Sequence, residues 1–254
     1  MQTLAPDDAQ AVDAILTRLG QVRRRQVPRV CEWFAGQAPQ MVATGAGDSV
    51  AAWRLGDGPA VLLVHGWEDD TSLWTPLIGL LQGAGVPVVA FDLPGHGWSD
   101  GEGCSAERVQ AAISAVCAAM GPVRSICSHS FGGVGLVQAL GDGLTVDAVA
   151  LVAPPIRQEL QLRRQAAKFG VSGRVVDVVV ERRGPGFDLM ALAPAMTVPA
   201  LFVHADDDQQ CPADEAQACA AIWPGARFEL FEGLGHRLVA QHEDTLPLLA
   251  AWLA

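Results

Sequence analysis

Short, uninterrupted apolar runs alternate with helical segments from residue 60 onward, and this pattern constrains the fold more than any other feature. Apolar runs without polar alternation indicate strands that are buried on both faces. Such strands, separated by helical segments, predict an α/β fold with a mostly parallel sheet and right-handed crossover helices. The predicted strands are residues 61–64, 86–91, 123–127, 146–152, 199–203 and 226–231, and the predicted helices are residues 73–82, 106–120, 131–140, 212–221 and 242–253.

Composition and charge narrow the function classes. The 254 residues are 50% hydrophobic and 18% charged, which fits one globular domain with a large core. A net charge of −11 argues against a nucleic-acid partner, because such partners are bound by clusters of Lys and Arg. The chain has no long apolar span and no signal-peptide pattern at its start, so we expect a cytoplasmic protein without membrane association. The six cysteines form no CxxC pair and are expected to be reduced.

The first part of the chain has a different pattern. Residues 7–35 predict one or two helices, broken near Pro28, with an apolar face from Val12 to Leu19 at helical spacing. Two roles stay open for this region: packing across the main domain, or an arm that forms a homodimer. After it, the alternating stretch 50–55 predicts edge strands in a hairpin.

The stretch from Val123 to Gly133 reads as a strand that turns sharply into a helix. Its centre, Ser128 to Gly132, matches the nucleophile-elbow pattern G-x-S-x-G except that Ser128 takes the place of the first glycine. A serine at such a corner projects its hydroxyl beside the amides that open the helix, where an anionic oxygen is stabilised. Ser130 is therefore the candidate nucleophile.

Ligands of open parallel sheets bind beyond the carboxyl ends of the strands, so the residues after each apolar run are the candidates for a site. A catalytic serine needs a base, an acid that orients the base, and donors for the oxyanion. His236 follows the last predicted strand and Asp208 follows the strand before it. The chain order Ser, Asp, His is characteristic of α/β-hydrolases.

With these motifs, the sequence from about residue 50 to residue 253 resembles the α/β-hydrolase superfamily. The resemblance is carried by HGW at 65–67, DLPGHGWS at 92–99, SHSFGG at 128–133, HADDD with a later proline at 204–212, and GLGH at 233–236. It implies a triad of Ser130, Asp208 and His236, with an oxyanion hole formed by the backbone amides of Trp67 and Phe131. It implies no cofactor.

The resemblance also implies a domain plan. We expect a single α/β-hydrolase domain over residues 1–254, with an N-terminal helical extension over 1–45 and a lid insertion over 154–198. Helices are predicted within this insertion at 157–169 and 174–182. Because the lid is short, a shallow or modestly covered site is expected. It would favour acyl chains from acetate to hexanoate over palmitate, without activation at a lipid interface.

Three histidines near these motifs have competing interpretations. His65 and His96 are expected to brace loops through hydrogen bonds. His129 is expected to orient its loop or line the pocket, because a base next to its nucleophile in sequence would point elsewhere.

A further departure from the family pattern is Ala205, which stands where relatives often have glycine after the strand.

The acid cluster 206–208 leaves two questions open. Asp208 is preferred over Asp206 as the triad acid, because it stands four residues before Pro212, as the acid of the family commonly does. The cluster could also bind a metal together with His204. Divalent sites draw their ligands from separated spacings or dedicated loops, so no metal is expected.

The sequence therefore predicts a serine hydrolase that cleaves a small-molecule carboxylic ester or thioester through an acyl-enzyme. Other chemistry of the same triad, namely carbon-carbon bond hydrolysis or cofactor-free perhydrolysis, remains an alternative. A non-catalytic binder of small ligands is a further alternative. The serine at the elbow disfavours dehalogenases and epoxide hydrolases, whose nucleophile is aspartate.

Overall fold

A computed structural model describes residues 6–24, 31–45 and 47–254, which surround one eight-stranded sheet. The strands are β1 (Gln40–Ala43), β2 (Ser49–Leu55), β3 (Ala60–Val64), β4 (Val88–Phe91), β5 (Val123–His129), β6 (Ala148–Val152), β7 (Ala200–Ala205) and β8 (Arg227–Phe231). Their order in the sheet is β1-β2-β4-β3-β5-β6-β7-β8. Strand β2 pairs antiparallel with β1 and β4, and all other pairs are parallel. The predicted α/β fold is confirmed.

Helices cover both faces of the sheet. They are α1 (Pro6–Arg18), α2 (Thr75–Gly83), α3 (Ala106–Ala119), α4 (Phe131–Gly141), α5 (Gln158–Lys168), α6 (Gly173–Arg183), α7 (Leu189–Leu192), α8 (Ala213–Ile222), α9 (Gly235–Leu238) and α10 (Leu246–Leu253). Strand β3 shows why the apolar runs are continuous: Leu62 and Val64 pack with α3 and α4, whereas Val61 and Leu63 pack with α2 and α10. Alternate residues therefore enter two separate cores.

The predicted helical extension over 1–45 is wrong at its end. Residues 40–43 form the edge strand β1, because the chain reverses at Gly45 and pairs with β2 in a hairpin. The hairpin predicted around residues 50–55 is thus present, with β1 rather than β2 at the edge. The expected helix break near Pro28 lies outside the described residues.

The segment between β6 and β7 contains α5, α6 and α7, and we call it the cap insertion (residues 154–198). Helix α1 packs against α6 of this insertion: Val12, Val175 and Val179 form a separate buried cluster. The apolar face predicted for the N-terminal helix is therefore covered by the cap insertion of the same chain. None of the helices within the described ranges is long and apolar enough to cross a membrane.

Candidate active site

Ser130 occupies the corner between β5 and α4 in a strained backbone conformation. Its φ of 49° and ψ of −124° lie in a region that residues with a side chain rarely adopt. Two glycines permit the tight packing around it. A Cβ on Gly66 would lie 2.9 Å from the Cβ of Ser130, and a Cβ on Gly132 would lie 2.5 Å from the carbonyl oxygen of His65. Ser128 fits the first elbow position because its hydroxyl donates to the Ala150 carbonyl at 3.3 Å.

The structure brings the three predicted triad residues into one hydrogen-bonded chain. The Oγ of Ser130 lies 2.9 Å from Nε2 of His236, and Nδ1 of His236 lies 2.7 Å from Oδ2 of Asp208. An ionised Asp208 accepts from Nδ1–H, which leaves Nε2 free to accept the serine proton. The imidazole is therefore held in the tautomer that a general base needs.

The environment of Asp208 keeps it ionised. Burial alone would raise its pKa, but hydrogen bonds from His204 and His236 outweigh burial and hold the pKa of Asp208 well below its usual range. Its second oxygen accepts from the backbone amides of Gln210 and Cys211 at 2.8 and 2.9 Å. Both carboxylate oxygens of Asp208 are therefore held by hydrogen bonds.

Asp206 and Asp207 hold the loop that carries the base. Asp206 accepts from the amide of Gly233 at 2.9 Å, and Asp207 accepts from the amide of Gly235 at 2.7 Å. The three consecutive carboxylates therefore bind successive points of the segment that leads to His236. Among the described residues, no group of three or more His, Cys, Asp or Glu side chains is arranged to hold a metal ion.

The two predicted oxyanion residues lie against each other at the mouth of the site. The rings of Trp67 and Phe131 are in edge-to-face contact, with centroids 5.1 Å apart. Phe131 is the first residue of α4, so its amide is among those that a helix leaves without an intrahelical acceptor. Trp67 follows Gly66, which packs directly on the elbow. The amide of Phe131 thus belongs to the first turn of α4, next to Ser130 in the chain.

His65 and His96 brace the loop that carries Trp67. The Nε2 of His65 accepts from the amide of Leu93, and the Nε2 of His96 accepts from the amide of Glu68, both at 2.9 Å. Glu68 has a φ of 55°, so the amide beside Trp67 is held in a strained turn by the His96 ring. Burial lowers the pKa of His96 to about 3, which keeps the ring neutral. These contacts fit the expected bracing role.

His129 has a more specific role than the sequence indicated. Its Nε2–H donates to the backbone carbonyl of His236 at 2.9 Å, and the two rings lie 5.0 Å apart. Burial, followed by the nearby His236, lowers the pKa of His129 to about 3. The residue after His236 makes a second contact. Arg237 forms an ion pair with Asp69, which lies two residues after Trp67. Neither contact could be predicted from the sequence, since both depend on how distant loops meet.

A cavity of about 510 Å³ opens beside Ser130 and His236. Residues of α1 and of the cap insertion both line it, so α1 adds a wall that a lid alone would not supply. Its apolar walls come from α1, the elbow region and the cap insertion: Ala14, Ile15, Leu19, Trp67, Phe131, Leu162, Val176, Val179 and Phe187. Helical spacing from Val12 to Leu19 signalled an apolar face but not that part of it lines a cavity.

The model of the alpha/beta hydrolase family matches residues 61–248. A non-heme haloperoxidase of Rhodococcus erythropolis is 24% identical over 248 residues, covering 75% of this chain and 90% of that protein. A pimeloyl-[acyl-carrier protein] methyl ester esterase of Stenotrophomonas maltophilia is 25% identical over 236 residues, covering 74% and 90%. The esterase Pf2001 of Pyrococcus furiosus superposes with a TM-score of 0.73 at 15% identity, covering 93% of this chain and 97% of that one.

Proposed function

The chain belongs to the alpha/beta hydrolase family, and we propose that it is a serine hydrolase that cleaves carboxylic esters or thioesters through an acyl-enzyme. The observation that carries the proposal is the continuous hydrogen-bonded chain from Ser130 through His236 to Asp208. It begins at a serine in a strained elbow and ends at a carboxylate whose pKa is held low.

In the proposed reaction, Nε2 of His236 takes the proton of Ser130 while Oγ attacks the carbonyl carbon. The resulting oxyanion accepts hydrogen bonds from the amides of Trp67 and Phe131. The imidazolium then protonates the leaving alcohol or thiol, and the ester bond breaks to leave Ser130 acylated. Water, activated by His236, attacks the acyl-enzyme and releases the acid. Asp208 stabilises the imidazolium in both halves of the reaction and keeps the ring oriented.

The relatives give independent support for ester chemistry. One of them is named as a methyl ester esterase and covers 74% of this chain. Solved esterases share the fold, which places the same elements around the sheet. The haloperoxidase relative supports perhydrolysis as a second candidate, in which hydrogen peroxide replaces water in attacking the acyl-enzyme. A cytoplasmic location and a homodimer stay predictions.

A substrate panel tests the proposal. Wild type and Ser130→Ala are compared on p-nitrophenyl esters, acyl thioesters and β-diketones, and on acetate with hydrogen peroxide for peracid formation. We expect ester or thioester turnover that disappears in Ser130→Ala. Turnover confined to β-diketones would assign carbon-carbon hydrolysis instead. Peracid formation that exceeds ester hydrolysis would assign perhydrolysis. No Ser130-dependent turnover of any class would favour a binding protein.

A further inference from the structure

Helix α1 lies outside the part of the chain that the family model matches, yet it contributes to the cavity at the triad. The match covers residues 61–248, whereas α1 spans Pro6–Arg18. Ala14, Ile15 and Arg18 of α1 line the cavity that Ser130 and His236 also line. The cavity therefore includes a wall that the shared family core does not supply.

The packing of α1 fixes it to the cap insertion. Val12 is fully buried against Val175 and Val179 of α6. An ion pair between Asp13 and Arg182 joins the same two helices at 3.1 Å, although both groups are exposed and such a pair contributes little stability. Since Val179 also lines the cavity, α1 and α6 form one continuous wall.

The chemistry of this wall suits an aliphatic chain. Ile15 and Leu19 from the N-terminal region meet Leu162, Val176 and Val179 from the cap insertion around the same space. The charged residues that line the cavity are exposed to solvent rather than buried within it: Arg18, Glu107 and Arg183. Uncharged polar side chains also line the cavity, among them Gln158, Gln161 and Gln210. The aliphatic contacts come from the wall that includes Ile15, Val176 and Val179.

We propose that α1 and α6 form an acyl-chain subsite that selects medium-length acyl groups. The cavity of about 510 Å³ falls within the range of sites that enclose a small ligand, and we assign it chains of about eight to twelve carbons. An acetyl group bound at Ser130 leaves this wall unused. The inference rests on the proposed hydrolase function and names the substrate class for that same site. It replaces the preference for acetate to hexanoate that the short lid suggested.

The test measures kcat/KM for p-nitrophenyl esters from acetate to palmitate. Each methylene that becomes fully buried is expected to raise kcat/KM by up to about fourfold, which corresponds to about 0.8 kcal/mol. We expect a rise from acetate to at least octanoate and a decline by palmitate. A profile that is flat or falls from acetate to octanoate would overturn the subsite. Absence of all Ser130-dependent turnover would instead overturn the proposed function.

Two matched variants of α1 test whether this helix determines the preference for long over short acyl chains. Ile15→Trp places a larger side chain in the cavity and is expected to lower the ratio of decanoate to acetate kcat/KM by tenfold or more. Thr17→Trp makes a change of similar bulk on the exposed side of the same helix and should leave the ratio as in wild type. The ratio cancels differences in the amount of active enzyme. Equal ratios in Ile15→Trp and Thr17→Trp would contradict a role for α1.

A second variant releases α1 without altering a cavity-lining residue. Val12→Asp places a carboxylate in the buried contact with α6, which should detach the helix and also lower the decanoate to acetate ratio. Calorimetric titration of decanoic acid into Ser130→Ala tests the subsite without turnover. Binding that Ile15→Trp weakens at least fivefold in that background supports the subsite, and unchanged or undetectable binding overturns it.

Discussion

The ring of His129 donates a hydrogen bond from Nε2 to the backbone carbonyl of His236 at 2.9 Å. The residue next to the nucleophile therefore holds the segment that carries the proposed base, across 107 positions of sequence. The elbow and the histidine loop are positioned relative to each other by this bond as well as by the triad itself.

We predict that His129→Leu lowers kcat by about three- to tenfold, because the carbonyl of His236 loses a donor worth about 1 kcal/mol. KM should change less, since His129 does not line the cavity. His129→Gln retains an amide donor and should recover part of the loss. Steady-state kinetics of both variants provide the measurement. Equal kcat in the Leu and Gln variants would show that the ring acts only by filling space.

The choice of acid can be tested with three matched variants. Asp208→Asn should lower kcat by about 10⁴, because the imidazole loses tautomer control and the imidazolium loses its counter-charge. Asp206→Asn and Asp207→Asn should stay within about tenfold of wild type, since asparagine keeps an oxygen that can accept from Gly233 or Gly235. Circular dichroism checks that all three fold. A large loss at Asp206 with near-normal Asp208→Asn would contradict the assignment.

The buried ring of His96 predicts a loss of stability in acid. Its pKa is lowered to about 3 in the folded state, whereas an unfolded histidine has a pKa of about 6.5. Below pH 6.5 this histidine binds a proton in the unfolded chain but not in the folded chain. The free energy of unfolding is therefore highest above pH 6.5 and falls as the pH drops towards 3. From pH 6.5 to 5 the loss reaches about 1.6 kcal/mol for this group.

His96→Gln removes the titrating group but keeps an acceptor for the amide of Glu68. Urea unfolding of wild type and variant at pH 6.5 and pH 5 measures the difference. We expect the free energy of unfolding to fall by about 1.6 kcal/mol more in wild type than in His96→Gln over that interval. Parallel losses in the two proteins would show that His96 is not the source of the acid lability.

The sequence was sufficient for those parts of the molecule that local patterns determine. The central strands β3 to β7 are predictable because their apolar side chains enter both cores. Ser130 is identifiable because it directly follows β5, and Asp208 and His236 because they lie in the segments that follow β7 and β8. The contact of α1 with the cap insertion was not predictable. The apolar face of α1 predicts that another element covers it but not which one. The residues that cover Val12, namely Val175 and Val179, lie more than 150 positions further along the chain. The part of the cavity wall that α1 supplies depends on that contact and could not be predicted either.

Covalent labelling with a fluorophosphonate probe, read by intact mass, tests whether Ser130 is a nucleophile activated by His236. In this reaction the Oγ of Ser130 forms a bond to phosphorus, fluoride leaves, and His236 takes the proton. We predict one phosphonyl adduct per chain on Ser130 in wild type, none in Ser130→Ala, and strongly slowed labelling in His236→Ala. Wild type that stays unlabelled in its native state, or labelling that persists in Ser130→Ala, would contradict it.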